Sequence, residues 1–291
     1  MDKMLLKENR WMDDVLFPIN AHRFVCTPDD NIFTCHWHDE LEFLMIRSGI
    51  AQIQVGTEDV TVSAGEALLI NSGELHAGFV PAGGDGFSFT AIVFHPSMLY
   101  GSGVDAIQTR YLDPVLKGGL PPLLHIRPET PWGERALVVL TDMDELLAQR
   151  EAAFEFGVKG QLFNAFHHIL SGCRELGGAR QPTSTHSERM KQVLTHIRDH
   201  YRQRLTIGEL SKLAGFSQGH FCAFFRRMTG TTFIDYLNRY RVSQAADMLR
   251  ETDRKILDIA MEVGFENASY FIVKFKKYMR CTPHEWRVNQ T

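Results

Sequence analysis

Four side chains near the start of the chain have the types and spacing of a metal-binding or hydrogen-bonding site: His36, His38, Glu42 and His76. Side chains alternate along a strand, so His36 and His38 face the same side, and Glu42 shares that side if the strand is unbroken. His76 is expected to come from a neighbouring strand. Three imidazole nitrogens and one carboxylate are suitable ligands for zinc, nickel, manganese or iron, with coordination positions left open.

The same region has two other interpretations, which the sequence leaves open. One is a pocket for an organic effector, lined by His36, Trp37, His38, Glu42 and His76. The neighbouring aromatic residues Phe33, Trp37 and Phe43 suit either an apolar wall of that pocket or the protein core. The other interpretation is that the histidines form hydrogen bonds inside the protein and bind nothing.

The C-terminal third of the chain repeats one helical pattern. Each copy has a short amphipathic stretch, a glycine, and a second amphipathic stretch that ends in two cations. The glycines Gly215 and Gly264 are 49 residues apart, and Phe225 and Phe275 are 50 apart, so the second copy contains one additional residue. This pattern predicts two helix-turn-helix units, whose second helices are built to enter the DNA major groove. Double-stranded DNA is therefore the predicted partner.

Helical spacing divides each second helix into two faces. The phenylalanines are predicted to be buried, and the remaining positions are predicted to face DNA. In the first unit these are Ser217, Gln218, Gly219, Cys222, Ala223, Arg226 and Arg227, and in the second unit Asn267, Ser269, Ile272, Val273, Lys276 and Lys277. The cations are predicted to contact phosphates, the alternative being a solvated face. Ser217 and Asn267 are suited to cap the helix N-termini.

Base reading has two interpretations. The apolar residues Ala223, Ile272 and Val273 could contact thymine methyl groups. Gln218, His220 and Asn267 are the hydrogen-bonding alternatives, although His220 equally suits helix packing.

The charge distribution supports this division of roles. The chain of 291 residues has a formal net charge of −4, but residues 188–291 have 18 Lys and Arg against 11 Asp and Glu, and the rest is strongly acidic. A basic C-terminal segment indicates polyanion binding there. The five scattered cysteines lack metal-type pairing and indicate reduced thiols in the cytoplasm. Neither a signal peptide at Met1–Glu8 nor a membrane-spanning run is present, so no membrane partner is expected.

Periodicity divides the chain into segments. Short alternating runs from about Ile32 to Phe94, separated by turn signals such as Ser48-Gly49, predict an antiparallel sandwich or barrel in residues 1–100. Residues 101–176 begin with a loop rich in Gly and Pro and continue with helical spacing, which predicts helices that either pack on the barrel or dimerise the protein. Residues 177–187 are a predicted flexible linker, and residues 188–291 are a predicted all-α domain. The predicted fold class is thus α+β with two domains.

Residues 188–290 resemble the DNA-binding domain of AraC/XylS-family transcription regulators. The resemblance rests on Leu213-Ala214-Gly215-Phe216-Ser217, Phe225 to Gly230, Gly264-Phe265, Ser269-Tyr270-Phe271 and Thr282-Pro283, in that order. It implies two helix-turn-helix units joined by a long helix from about Phe233 to Arg250. Family members commonly have Arg where this chain has Ala223 and Val273, so the resemblance does not predict the operator.

The N-terminal residues resemble two cupin motifs. The first runs from His36 through His38 and Glu42 to Gly49, and the second from Gly65 to His76, with Asn71 in place of the usual Pro. This resemblance implies a cupin-like barrel. AraC-type sensor domains often keep the first motif while binding an organic effector without metal, so the resemblance implies a small metabolite such as a sugar.

The leading hypothesis is a transcription regulator that responds to a small molecule and is not an enzyme. It is expected to be a cytoplasmic homodimer that requires no cofactor, with RNA polymerase as a further candidate partner. A divalent metal held by His36, His38, Glu42 and His76 is the candidate cofactor. The alternatives are a metal-dependent cupin enzyme fused to a DNA-binding domain, and a constitutive DNA-binding dimer.

Overall fold

The computed structural model describes residues 14, 16–27, 33–56, 58–81, 83–101, 105–116, 121, 123–175 and 185–288. The chain divides into two compact units, with the division between Ser187 and Glu188. Each unit is described by itself below. The N-terminal stretch 1–8 and most of the predicted linker 177–187 lie outside the described residues, as do the side chains of Phe33 and Cys173.

The N-terminal unit contains eight described strands. They are β1 (Ile19–Cys26), β2 (Phe33–His36), β3 (Leu41–Val55), β4 (Glu58–Ser63), β5 (Ala67–Ile70), β6 (His76–Phe79), β7 (Phe87–Phe94) and β8 (Leu123–Ile126). All the strand pairs are antiparallel. Strand β8 pairs with β5 and belongs to the sheet, although it lies in the segment 101–176 whose sequence predicts a loop and helices.

The long strand β3 connects two layers of strands. Its first half lies between β7 and β5, and its second half lies between β4 and β6. The turn predicted at Ser48-Gly49 is wrong: the strand continues through a bulge, where its register against β7 shifts between Ile46 and Ser48 and Gly49 has φ +74°. A bulge bends a strand and lets it change partners. Among the described residues the strand pairs run from β1 to β8 without closing, so the layers form an open sandwich and the predicted barrel is not closed.

Two helices, α1 (Pro131–Gln149) and α2 (Phe154–Glu175), cover one face of the sheet. Buried apolar residues of both helices share one core with Leu41, Phe43 and Met45 of β3, whereas Leu44 and Ile46 point into a second core between the strands. This alternation follows the two-residue period of a strand. The predicted packing of the helices on the sheet is confirmed, whereas their dimerisation stays a prediction.

A buried carboxylate of α1 also forms hydrogen bonds with two strands of the sheet. Asp144 accepts hydrogen bonds from Arg23 of β1 and Arg47 of β3, and Arg47 also donates to Thr90 at 3.1 Å. Short helical turns occur at Pro96–Leu99 and Gln108–Leu112.

The C-terminal unit is all helical over its described residues. Its helices are α3 (Thr185–His200), α4 (Ile207–Leu213), α5 (Gln218–Thr229), α6 (Phe233–Glu251), α7 (Ile256–Glu262), α8 (Ala268–Met279) and α9 (Pro283–Val288). The long helix predicted from about Phe233 to Arg250 is therefore confirmed as α6. The two-domain α+β fold class is also confirmed. No helix in the described part of the chain is both long and apolar enough to cross a bilayer.

Candidate nucleic-acid interface and candidate ligand site

The four residues predicted to form a polar site lie together in the N-terminal unit. His36 ends β2 and pairs with His76, the first residue of β6. Their ring centroids are 4.2 Å apart, and the rings of His38 and His76 are 5.1 Å apart. One ligand atom from each histidine lies within 4.8 Å of the others. All three histidines and Glu42 are buried. We call these four residues the His–Glu cluster.

Glu42 reaches the His–Glu cluster by a different path from the one predicted. The strand is broken after Trp37 by a bend at Asp39 and Glu40, and β3 begins at Leu41. The condition under which Glu42 was expected to share the side of His36 and His38, one unbroken strand, is therefore not met. Glu42 Oε2 nevertheless lies 3.0 Å from His38 Nε2 and 3.5 Å from His76 Nε2.

Backbone carbonyls orient two of the imidazoles. His38 Nδ1 lies 3.1 Å from the carbonyl oxygen of Glu40, and His76 Nδ1 lies 2.9 Å from that of Glu74. A carbonyl can only accept, so each Nδ1 carries the proton and donates it. In the neutral ring, Nε2 then has a lone pair and no proton, which is the state of a metal ligand. The sequence motifs do not indicate these carbonyl contacts, because they depend on the backbone path.

The contact between His38 Nε2 and Glu42 Oε2 therefore needs a positive charge. Two lone pairs 3.0 Å apart repel each other unless a proton or a metal ion lies between them. Two ligand atoms in adjacent positions, each about 2.1 Å from one metal ion, are about 3.0 Å apart at a right angle. The donor set of the His–Glu cluster thus fits a divalent metal as well as a proton.

Phe43 does not form part of the predicted aromatic wall. Phe43 stacks on Phe94 at 5.5 Å and packs against Phe166, so it belongs to the core under the helices. Trp37 is buried in the stretch between His36 and His38. Of the three aromatic residues proposed for the wall, Trp37 is therefore the one whose described position is next to the cluster.

The first helix-turn-helix unit consists of α4, the turn at Gly215, and α5. Ser217 caps α5 by accepting a hydrogen bond from the backbone N–H of His220. Phe221, Phe224 and Phe225 are buried, as their spacing predicts, and Phe225 packs against Phe233 and Tyr236 of α6. The predicted contact residues Gln218, Gly219, Cys222, Ala223, Arg226 and Arg227 are all exposed. His220 is exposed too, and its ring lies 4.3 Å from that of Phe216.

The second unit repeats this arrangement with α7, the turn at Gly264, and α8. Asn267 caps α8 by accepting from the backbone N–H of Tyr270 at 3.0 Å. Phe271 and Phe275 are buried, which confirms their predicted core position. The predicted contact residues Asn267, Ser269, Ile272, Val273, Lys276 and Lys277 are exposed.

An acidic residue of α6, which the sequence analysis did not single out, positions α8. Asp235 pairs with Lys277 at 3.2 Å and with Lys274 at 3.4 Å, and it accepts a hydrogen bond from the Tyr278 hydroxyl at 2.8 Å. Burial acts to raise the pKa of Asp235, but the bonds from Tyr278 and Lys277 outweigh it and the pKa is lowered. Lys277 is thus already ion-paired within the unit, although it remains exposed at its predicted position.

Cys222 offers a chemical probe of the exposed face of α5. We expect a thiol reagent to label Cys222 at pH 8 and to leave Cys35 unmodified, because burial raises the pKa of the Cys35 thiol to about 12. Bound duplex DNA should slow labelling of Cys222 about tenfold if α5 lies in the major groove. Peptide mass spectrometry with and without DNA measures both rates. Equal rates would place DNA elsewhere.

Comparison with known proteins identifies both units. The family model described as an AraC-like ligand binding domain matches residues 21–126, and the one described as a helix-turn-helix domain matches residues 210–289. The chain is 28% identical over 283 residues to the uncharacterized HTH-type transcriptional regulator YdeC of Bacillus subtilis, covering 97% of this chain and 96% of YdeC.

Two further proteins match a smaller share of the chain. The HTH-type transcriptional activator AarP of Providencia stuartii is 26% identical over 113 residues, which are 39% of this chain and 84% of AarP. The crystal structure of the C-terminal domain of the response regulator yesN from Fusobacterium nucleatum is 35% identical, with a TM-score of 0.33. It covers 34% of this chain and 98% of that domain.

The matched ligand-binding domain contains the His–Glu cluster, and the matched helix-turn-helix domain contains most of α4 and all of α5 to α9. The chain is therefore a transcription regulator that combines a DNA-binding helix-turn-helix domain with an AraC-like ligand-binding domain.

Proposed function

We propose that this regulator is ligand-responsive and that its ligand binds at the His–Glu cluster. The observation that carries the proposal is the burial of three imidazoles and one carboxylate in a sheet whose other core residues are mostly apolar. Together these side chains offer several hydrogen-bonding and ligating atoms at one place, which a polar or cationic ligand can engage at once. The cluster also lies inside the domain that matches an AraC-like ligand binding domain.

Two classes of ligand are compatible with the cluster. The resemblance of the sequence to AraC-type sensor domains supports a metabolite such as a sugar, whose hydroxyls would bond to the imidazoles and Glu42. The geometry is compatible with a divalent metal: the ligand atoms are nearly inaccessible to solvent, and the 3.0 Å between His38 Nε2 and Glu42 Oε2 fits two ligands of one metal ion as well as a shared proton. A sugar of ordinary size needs the strands around His36 and His76 to open, whereas a metal ion needs only small side-chain movements.

The regulatory mechanism we propose is a shift between two arrangements of a homodimer on DNA. A ligand can act only through different affinities for the two arrangements. The α1–α2 pair offers a surface for dimerisation, since Phe156 and Val138 are 85% and 59% exposed there. This role requires the chain to be in the cytoplasm with its DNA, with RNA polymerase as a further partner. No catalytic step is part of the proposal.

A thermal-shift screen of the full chain tests the proposal. Sugars and the ions Zn²⁺, Ni²⁺, Mn²⁺ and Fe²⁺ are added with and without a chelator, and DNA affinity is measured for each compound that stabilises. A ligand at 100 times its Kd stabilises the folded state by about 2.7 kcal/mol. The double variant His36→Ala/His38→Ala should lose this response. The variant His167→Ala, at an exposed position of α2, is the matched control and should keep it.

The outcomes separate the ligand classes. Stabilisation by one sugar that survives chelation would identify a metabolite effector. Stabilisation only by a metal, together with stoichiometric metal by elemental analysis, would identify a metal ligand. A chain whose DNA affinity is indifferent to every stabilising compound contradicts the proposal and favours the constitutive DNA-binding dimer. Substrate turnover at the cluster would favour the enzyme instead.

A further inference from the structure

Two adjacent apolar side chains are exposed in the middle of α8. Ile272 is 43% exposed and Val273 is 65% exposed, whereas their neighbours Phe271 and Phe275 are fully buried. Both are β-branched, and β-branched residues are weaker helix formers than the straight-chain residues common at exposed helix positions. A single exposed apolar residue needs no explanation. The adjacent pair Ile272 and Val273 does need an explanation, because it lies on the face of α8 that is predicted to contact DNA.

The pair occupies the centre of the face that a helix-turn-helix unit presents to DNA. Ser269, Ile272, Val273 and Lys276 follow the spacing of one stripe on a helix surface. The second helix of such a unit contacts base edges from its N-terminal half. Lys276, at the C-terminal end of the stripe, supplies positive charge that complements the phosphates. The stripe is therefore polar at both ends and apolar between them.

The major groove has one apolar group that such a surface can recognise. Ile and Val side chains have neither donors nor acceptors, so they cannot read the hydrogen-bonding edges of the bases. The C5-methyl group of thymine is the apolar feature in the groove. Their restricted χ1 rotamers also mean that little side-chain freedom is lost on contact. We propose that Ile272 and Val273 read thymine methyl groups in the part of the operator contacted by α8.

The corresponding stripe of α5 has less apolar surface than that of α8. Its residues are Gly219, Cys222, Ala223 and Arg226, which offer much less apolar surface beyond the Cβ atom. The two helices are equally well capped and supported by buried phenylalanines. Dependence on thymine methyl groups is therefore expected to be strongest in the α8 part of the operator, and weaker in the part contacted by α5, where Ala223 offers a single methyl group.

The test begins with selection of binding sites from a random duplex pool by the full chain, followed by footprinting. Each thymidine of a selected site is then replaced by deoxyuridine, which removes the methyl group and leaves every hydrogen-bonding atom in place. For each methyl group contacted, Kd should rise about fourfold, the size of effect expected for burying one apolar methyl group. In the double variant Ile272→Ala/Val273→Ala the same replacements should have no effect. Ile234→Ala, which shortens an exposed apolar side chain of α6 outside the predicted DNA-facing set, is the matched control, and it should keep the full deoxyuridine penalty.

The outcomes also distinguish this inference from the DNA-binding role on which it rests. Enrichment of a site followed by indifference to deoxyuridine overturns only the inference. Failure to enrich any sequence overturns both the inference and the proposal of a sequence-specific regulator. A double variant that binds and discriminates DNA as the parent does also overturns the inference. Alanine is a better helix former than either residue, so loss of the fold is not expected, and circular dichroism checks it.

Discussion

The variant Gly264→Ala is expected to destabilise the C-terminal unit by about 3 kcal/mol. Gly264 has φ +96°, and a Cβ atom there would lie within 2.9 Å of the carbonyl oxygens of Tyr201 and Arg202 and of the Arg241 guanidinium. Backbone carbonyls cannot move aside without displacing the segment that Arg241 holds through its hydrogen bonds to Tyr201 and Gln203. The alanine variant therefore combines backbone strain with overpacking.

The matched control is Gly215→Ala in the first turn. Gly215 has φ +69°, but no atom lies within 4 Å of the position of its Cβ. Only the backbone conformation is unfavourable for alanine there, so the free energy of unfolding should fall by about 1 kcal/mol. Hydrogen exchange of peptides from α6 and α8, followed in the full chain, measures the opening free energy of this unit alone. Equal costs at the two glycines would contradict the close packing around Gly264.

The second large effect is expected for the double variant Arg226→Ala/Lys276→Ala. Each side chain is exposed at the end of the DNA-facing stripe of its helix. Removing two phosphate contacts should weaken DNA binding about 100-fold at moderate salt, taking about 1.4 kcal/mol for each charge-assisted contact. The slope of log Kobs against log salt should fall in magnitude by about 2, since about 0.9 counterions are released for each phosphate neutralised.

Fluorescence anisotropy across a salt series, on the selected site and on an unrelated duplex, measures both quantities. Phosphate contacts position a protein without reading sequence, so both duplexes should lose the same factor. Arg250→Ala is a matched control, because Arg250 is an exposed cation of α6 that pairs with Asp247 at 3.0 Å. It should leave the salt slope unchanged. A loss restricted to the selected site would mean that Arg226 or Lys276 contacts bases.

The helix-turn-helix units could be predicted closely because their determinants are local. Phe221, Phe224 and Phe225 recur at helical spacing, and a capping residue precedes α5 and α8 directly in the chain. The interactions that start such a helix and set its buried face lie within a few residues, so the pattern of residue types nearly suffices to predict the helix and its faces. The contact from Asp235 to Lys277 joins residues far apart in sequence, and no local pattern indicates it.

The N-terminal unit shows where sequence reasoning stops. The residue types of His36, His38, Glu42 and His76 alone determined that a polar cluster is chemically suitable for a metal or a polar ligand. Only the tertiary structure determines that these four side chains meet. Strand β2 pairs with β6, and the backbone bends at Asp39 and Glu40 before β3 begins. The tertiary structure also determines that β3 joins two open layers, and that Asp144 binds two arginines from distant strands. The physical reason is that strand pairing and register depend on contacts between residues remote in the chain, whereas helix periodicity and capping depend on near neighbours.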